Sequence, residues 1–354
     1  MKIIINKNKY FFIQLALICL VVGIISSFAL PSKFYNDAEI IVNDYYNEIG
    51  LVGGYPFTIL FYSITHLNKV PFFLIAIIQL PILFYFLYKI GVPDNFRVLN
   101  IQNILVYISF FLIGLFICIP SKEFINFIYL SFIVLLFRNK KYSLNKTIII
   151  SFILFFIISF ILRPYYLFLP IFSILLYFGT FIKSKNKALN LIFFSIVFAV
   201  LMSISHGIIR GEYISESTRE MHNFDRLGSD EAQSMIQSPV PTDTWYGETI
   251  GIFYGYLSVN IPIVALKHFL KPQVVAFIIW QLLFFYVLYK KFKICLKNRQ
   301  ELKYELWIFL FIFSYFVVQG LFEPDLGSAI RHKIGVFPLI YYALYYDKIT
   351  YNKN

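Results

Sequence analysis

The chain has 354 residues, 59% of them hydrophobic, 20% aromatic and only 14% charged, with a mean hydropathy of +0.72. A soluble domain cannot bury that much apolar surface, because its surface grows too quickly relative to its volume, so the composition excludes a water-soluble globule. The formal charge of +12 would suit a nucleic-acid binder, but the Lys and Arg sit in short clusters between apolar runs, and no nucleic-acid partner is expected.

Spanning the hydrocarbon takes about 20 apolar residues per helix, with every backbone polar group paired inside it. The expected fold is therefore all-α: a polytopic integral membrane protein, one transmembrane domain over residues 1–354. From the N-terminus, Lys2, Lys7 and Lys9 precede an apolar run at 10–30. That run is longer than a signal-peptide core and no small-x-small cleavage site follows, so it is expected to be an uncleaved first helix. Further spans are expected at 71–88, 101–120, 124–137, 147–162, 165–182, 188–208, 273–289, 304–321 and 334–346. The stretches 51–66 and 249–266 remain open as spans, interfacial helices or re-entrant segments, so the count is about 10 (10–12).

Positive residues favour cytoplasmic loops. If neither open stretch crosses, the cytoplasmic segments hold 20 Lys+Arg against 4 Asp+Glu, and the rest of the chain 11 against 15. This arrangement gives ten crossings with both termini cytoplasmic. The first periplasmic loop is then 31–50 and the large one 209–248. All five histidines, with Arg163, Arg210, Arg219, Arg226 and Arg331, fall on the outer side or in the open stretches. Loops are where chemistry is usually carried, so the working face is expected outside.

Asp37, Asp44 and Glu48 recur at spacings of seven and four, which predicts one face of an interfacial helix. They are either general-base candidates or a solvated face. Gly53-Gly54-Tyr55-Pro56 lacks the downstream Lys-Ser/Thr of a phosphate loop. Lys122-Glu123 lies at the mouth of a tight helical hairpin and could equally bind a lipid phosphate or snorkel. Arg163-Pro164-Tyr165 joins two spans with no other polar residue nearby, and an Arg at that depth is a functional hypothesis suited to a phosphate.

In the large loop, Ser215 to Asp230 predicts a polar helix and Pro239-Val240-Pro241 a rigid bend, a cover for a lipid-linked substrate. His206 and Arg210 lie at its membrane boundary. The densest constellation runs from Glu323-Pro324-Asp325 to Arg331-His332-Lys333. Asp325 or Ser328 is expected to cap a helix presenting Arg331 and His332. Arg331 and Lys333 could hold a diphosphate, with Glu323, Asp325 or His332 handling a proton.

Cys19, Cys118 and Cys295 have no metal-ligand spacing and are expected to be packing residues. No metal site, cofactor motif or mid-span charge is evident, which disfavours a carrier.

The span count, the long outer loop, Arg163-Pro-Tyr and Glu323-Pro-Asp…Arg331-His332 together resemble the O-antigen and capsular polysaccharide polymerases (Wzy-like). The resemblance implies an enzyme, a glycosyltransferase of polysaccharide biosynthesis in the bacterial inner membrane. Its substrate would be an oligosaccharide repeat unit linked to undecaprenyl diphosphate, polymerised at the periplasmic face into O-antigen of lipopolysaccharide or into capsule. Lys122, Arg163, Arg210, Arg331 and Lys333 would bind the diphosphate, and no metal would be needed. Membrane lipids, a flippase and a chain-length regulator are the implied partners. The acidic first outer loop also resembles GT-C membrane glycosyltransferases. That resemblance would make Asp37 or Glu39 the base and a polyprenyl-phosphate sugar the donor.

Overall fold

The computed structural model describes residues 6–228 and 234–349. The chain is all-α and 75% helical, with no strand among the described residues. The helices are α1 (Lys7–Ala29), α2 (Asn36–Asn43), α3 (Gly54–Ile64), α4 (Phe72–Ile90), α5 (Ile101–Phe116), α6 (Lys122–Asn139), α7 (Leu144–Ile161) and α8 (Phe168–Gly179). They continue with α9 (Lys187–Arg210), α10 (Met221–Asp225), α11 (Trp245–Asn260), α12 (Pro272–Lys297), α13 (Lys303–Phe322), α14 (Leu326–Gly335) and α15 (Phe337–Tyr345). Six of them, α1, α4, α7, α9, α12 and α13, are long and apolar enough to cross a membrane. The chain is thus compatible with a multi-pass membrane protein.

The exposed faces bear this out chemically. Along α1 the exposed side chains include Ile13, Leu17, Ile18, Val21, Ile25 and Phe28. In water such a stripe would be costly, whereas lipid solvates it. By contrast α13 is 94% buried over its apolar window and lies inside the protein. A helix apolar on every side has no face left for water.

The helices group into two compact units, residues up to 164 together with those from 333 onward, and residues 165–332. In the first unit α1 packs on α4 and α5. A Cβ added to Gly114 would stand 2.7 Å from the Cys19 carbonyl, and one on Gly23 would stand 2.4 Å from Leu80. Small residues at a helix crossing let backbones approach without water-driven burial. Tyr341 and Tyr345 of α15 donate to the Gly91 carbonyl (2.8 Å) and to Asn103 Oδ1 (2.6 Å), so both buried hydroxyls are satisfied. In the second unit α13 is flanked by α8, α9, α11 and α12. Cys19, Cys118 and Cys295 are free and buried among packed side chains.

Three expectations are corrected. The acidic helix stops at Asn43, because Asp44 turns left-handed (φ 47°) and its carboxylate takes the Glu48 amide at 2.8 Å. Asp37, Asp44 and Glu48 therefore share no helical face. The predicted span 334–346 is broken at Val336 (φ −100°, ψ 7°), where Pro338 cannot donate a helical hydrogen bond. The expected polar helix of the large loop is present but ends at Asp225, a wide turn at Glu216–Glu220 running directly into α10, while Asp230 lies outside the described residues. Of the two open stretches, 51–66 forms α3, whose 11 residues extend about 16 Å against a hydrocarbon layer of about 30 Å. The other forms α11, with 16 residues or about 24 Å.

Candidate functional site

The second unit gathers Glu323, Asp325 and His332 into one hydrogen-bonded cluster at the end of α13. Pro324 ends that helix because it lacks the N–H that the Gly320 carbonyl would accept. The chain then turns, and Asp325 caps α14 as its spacing predicts, Oδ1 accepting the Ser328 amide at 2.8 Å. The turn brings His332, two helical turns into α14, back over Glu323. Nδ1 of His332 lies 2.9 Å from Glu323 Oε2, and the Ser328 hydroxyl donates to Oε1 at 2.6 Å. Gln319 Nε2 adds a longer bond to Oε2 at 3.3 Å. Glu323 is buried (4% exposed), whereas His332 keeps 17% of its side chain accessible. With the proton on Nδ1 facing the carboxylate, Nε2 is the nitrogen that carries the lone pair. The arrangement can orient an imidazole base and stabilise its protonated form.

The large loop clasps this turn at several points. Arg226 Nη1 pairs with Asp325 Oδ2 at 3.0 Å. The Ile236 amide donates to the Pro324 carbonyl at 2.7 Å, and Met235 bridges Asp325. Ile236 itself is buried with Leu326, Ala329, Val259 and Val264. The loop is therefore anchored to this turn by apolar burial and an ion pair together.

Arg219 makes the deepest attachment. It is fully buried, with Nη1 donating to the Gly320 carbonyl (2.8 Å) and Nη2 to the Gly251 carbonyl (3.1 Å). The guanidinium fits only because α11 offers glycine there: a Cβ on Gly255 would lie 2.0 Å from Nη1. It supplies the donor that Pro324 withholds from Gly320. Nearby, Glu248 is wholly buried and accepts from the Ser203 and Ser215 hydroxyls and the Ser215 amide (3.1 Å). Sequence reasoning singled out neither Arg219 nor Glu248. The signals were present in Gly247, Gly251 and Gly255, four apart along α11, and in Pro324 four residues after Gly320.

A separate set of predicted residues meets in the first unit. The Tyr55 hydroxyl donates to Asp37 Oδ1 at 2.5 Å, and Lys122 Nζ lies 3.5 Å from the centre of the Tyr55 ring. Arg163 is buried and pairs with Glu123 at 2.6 Å, so its expected role as an isolated arginine is replaced by a buried ion pair. The Gly53 amide donates to the Ile161 carbonyl at 3.0 Å, which ties the start of α3 to the end of α7. A Cβ on Gly335 would meet Glu123 Cγ at 3.4 Å.

Two other predicted residues, Glu39 and Arg210, stand apart. Both are exposed, and among the described residues they make no side-chain hydrogen bond or ion pair. Arg331 is half-buried on α14, and Lys333 is buried and belongs to the first unit. Among the described residues no three His, Cys, Asp or Glu side chains converge as metal ligands. Comparison of the chain with protein-family models, with curated proteins and with solved structures finds no match.

Proposed function

We propose that the chain is a membrane glycosyltransferase that polymerises oligosaccharide repeat units carried on undecaprenyl diphosphate into O-antigen or capsule. The observation that supports it is the buried Glu323 carboxylate bonded to a partly accessible His332 beneath a clasped loop. In this reading the terminal sugar hydroxyl of one lipid-linked unit attacks the anomeric carbon of the growing glycan. The bond to the lipid diphosphate breaks and the diphosphate leaves with the electron pair. His332 Nε2 takes the hydroxyl proton, and Glu323 stabilises the resulting imidazolium. Arg331, on the same helix, is the residue assigned to the developing diphosphate charge.

The reading includes ten crossings in the bacterial inner membrane, both termini cytoplasmic and residues 209–248 periplasmic. Reporter fusions test that arrangement: alkaline phosphatase is expected inactive when fused after Lys187 and active after Gly228, and the reverse pattern refutes it.

The function is tested on a surface-polysaccharide gel from cells lacking the chain. A polymerase predicts loss of the ladder, leaving lipid core capped by one repeat unit, and no rescue by Glu323→Gln. A second reading, a GT-C-type transferase using a polyprenyl-phosphate sugar, draws support from the Asp37–Tyr55–Lys122 contacts. It predicts a full ladder of altered mobility in cells lacking the chain, which Glu323→Gln restores to normal and Asp37→Asn does not.

A further inference from the structure

The second unit holds a cleft of about 630 Å³ that the chemistry above does not use. Its walls are the first turn of α9 and the last turns of α12 with the residues that follow. The cleft is lined by Lys185, Lys187, Lys293, Lys297 and Arg299, with Glu301 as its one acidic side chain.

Lys293 and Lys297 have a local reason to be there, since cations complement the negative end of α12. Lys187 and Arg299 do not. Both donate to the same buried carbonyl, that of Thr180, at 2.8 and 2.7 Å. Two fixed positive charges are thereby held within about 5.5 Å of each other, the sum of those two contacts. The Arg299 guanidinium is further pinned over the Phe181 ring, 4.6 Å from its centre. None of the five cations forms an ion pair among the described residues, and Glu301 is exposed and pairs with none of them. Like charges locked side by side repel at this range unless an anion joins them, and a planar guanidinium beside an ammonium matches a phosphate.

The surroundings favour one source for that phosphate. Phe181, Ile182 and Leu189 beside the cleft are more than half exposed, and α9 and α12 both qualify as spans. The cleft thus lies where the apolar part of two such helices ends, at the level of lipid headgroups.

We infer that the cleft bounded by Lys187 and Arg299 is a binding site for a phosphate-bearing anion, supplied by the headgroup of an anionic lipid. The full chain, purified in uncharged detergent, is incubated with an equimolar mixture of phosphatidylglycerol and phosphatidylcholine, and retained lipid is read by native mass spectrometry. Wild type is expected to keep phosphatidylglycerol selectively. Lys187→Gln with Arg299→Gln is expected to lose it at least about tenfold. The charge-preserving pair Lys187→Arg with Arg299→Lys should keep it, which separates loss of charge from loss of fold. A triple variant, Lys185→Gln, Lys293→Gln and Lys297→Gln, leaves the Thr180 contacts intact and should weaken retention partially. A parallel arm adds inorganic phosphate alone and reads thermal stability. Stabilisation by phosphate without phosphatidylglycerol retention keeps the anion site and overturns its lipid source. Equal retention of the two lipids with no response to phosphate, or phosphatidylglycerol retention unchanged in the neutralised pair, overturns the inference.

Discussion

Replacing Arg219 by Leu is the perturbation whose size follows most directly from the structure. Two buried carbonyls lose a charged donor, Gly320 at 2.8 Å and Gly251 at 3.1 Å. They are not equivalent. Gly251 lies inside α11 and has the Gly255 amide within its own helix, so its loss belongs at the low end for a bond to a charged group. Gly320 has Pro324 four residues on and no helical amide to turn to, so its carbonyl is left buried and unsatisfied. Glu220, the ion-pair partner, is 19% exposed and also accepts the Ser238 amide, so its share is discounted. Together these give a destabilisation of about 3–5 kcal/mol. All three tryptophans, Trp245, Trp280 and Trp307, lie in the second unit, so their fluorescence reports its unfolding. The assay is a denaturant titration of purified protein in mild detergent, followed by tryptophan emission. Arg219→Lys retains one donor and should lose about half as much. Gly255→Ala should approach the Leu variant, because its Cβ would stand 2.0 Å from the guanidinium and 2.2 Å from the Gly320 oxygen. A Leu variant within about 1 kcal/mol of the parent, well inside the range of ordinary substitutions, would refute the reasoning.

Other outcomes follow from the same geometry. Glu323→Gln and His332→Gln should each reduce polymer formation by about 10²–10⁴-fold while the protein still purifies as a folded species; an intact ladder with either variant removes the pair from the chemistry. Glu123→Gln should destabilise the first unit by about 3–5 kcal/mol because it strips a buried Arg163 of its carboxylate, and Glu123→Gln with Arg163→Met should recover part of that, as thermal unfolding in detergent will tell. Glu39→Ala and Arg210→Ala should leave stability within about 0.5 kcal/mol and leave the ladder unchanged, since both side chains are exposed. A shortened ladder in the Arg210 variant would support its expected contact with the diphosphate.

What the sequence determines by itself is everything that depends on neighbours along the chain. Apolar runs of sufficient length become helices because the backbone must satisfy itself in lipid, and six of the expected spans are found as helices long and apolar enough to cross a membrane. The Asp325 cap was legible for the same reason, since the bond from Ser328 closes over three residues. So was the density of polar groups between Glu323 and Lys333.

Partners distant in sequence were not legible. Nothing near Arg163 announces Glu123, 40 residues earlier, and nothing near Arg219 announces the Gly320 carbonyl, 101 residues later. Arg163 looked like an unpaired arginine and proves to be half of a buried ion pair. Arg219 looked like one solvated loop residue among several and is fully enclosed. The tertiary structure decided these cases because the cost of burying a charge depends on which donors and acceptors surround it in space. The helix ends at Asp44 and at Val336 differ from the expected bounds for local reasons, a left-handed residue whose carboxylate takes the Glu48 amide and a proline two residues on. Length and apolarity specify helices and their solvent. Only packing of the folded chain selects which few polar groups are brought within hydrogen-bonding distance to act.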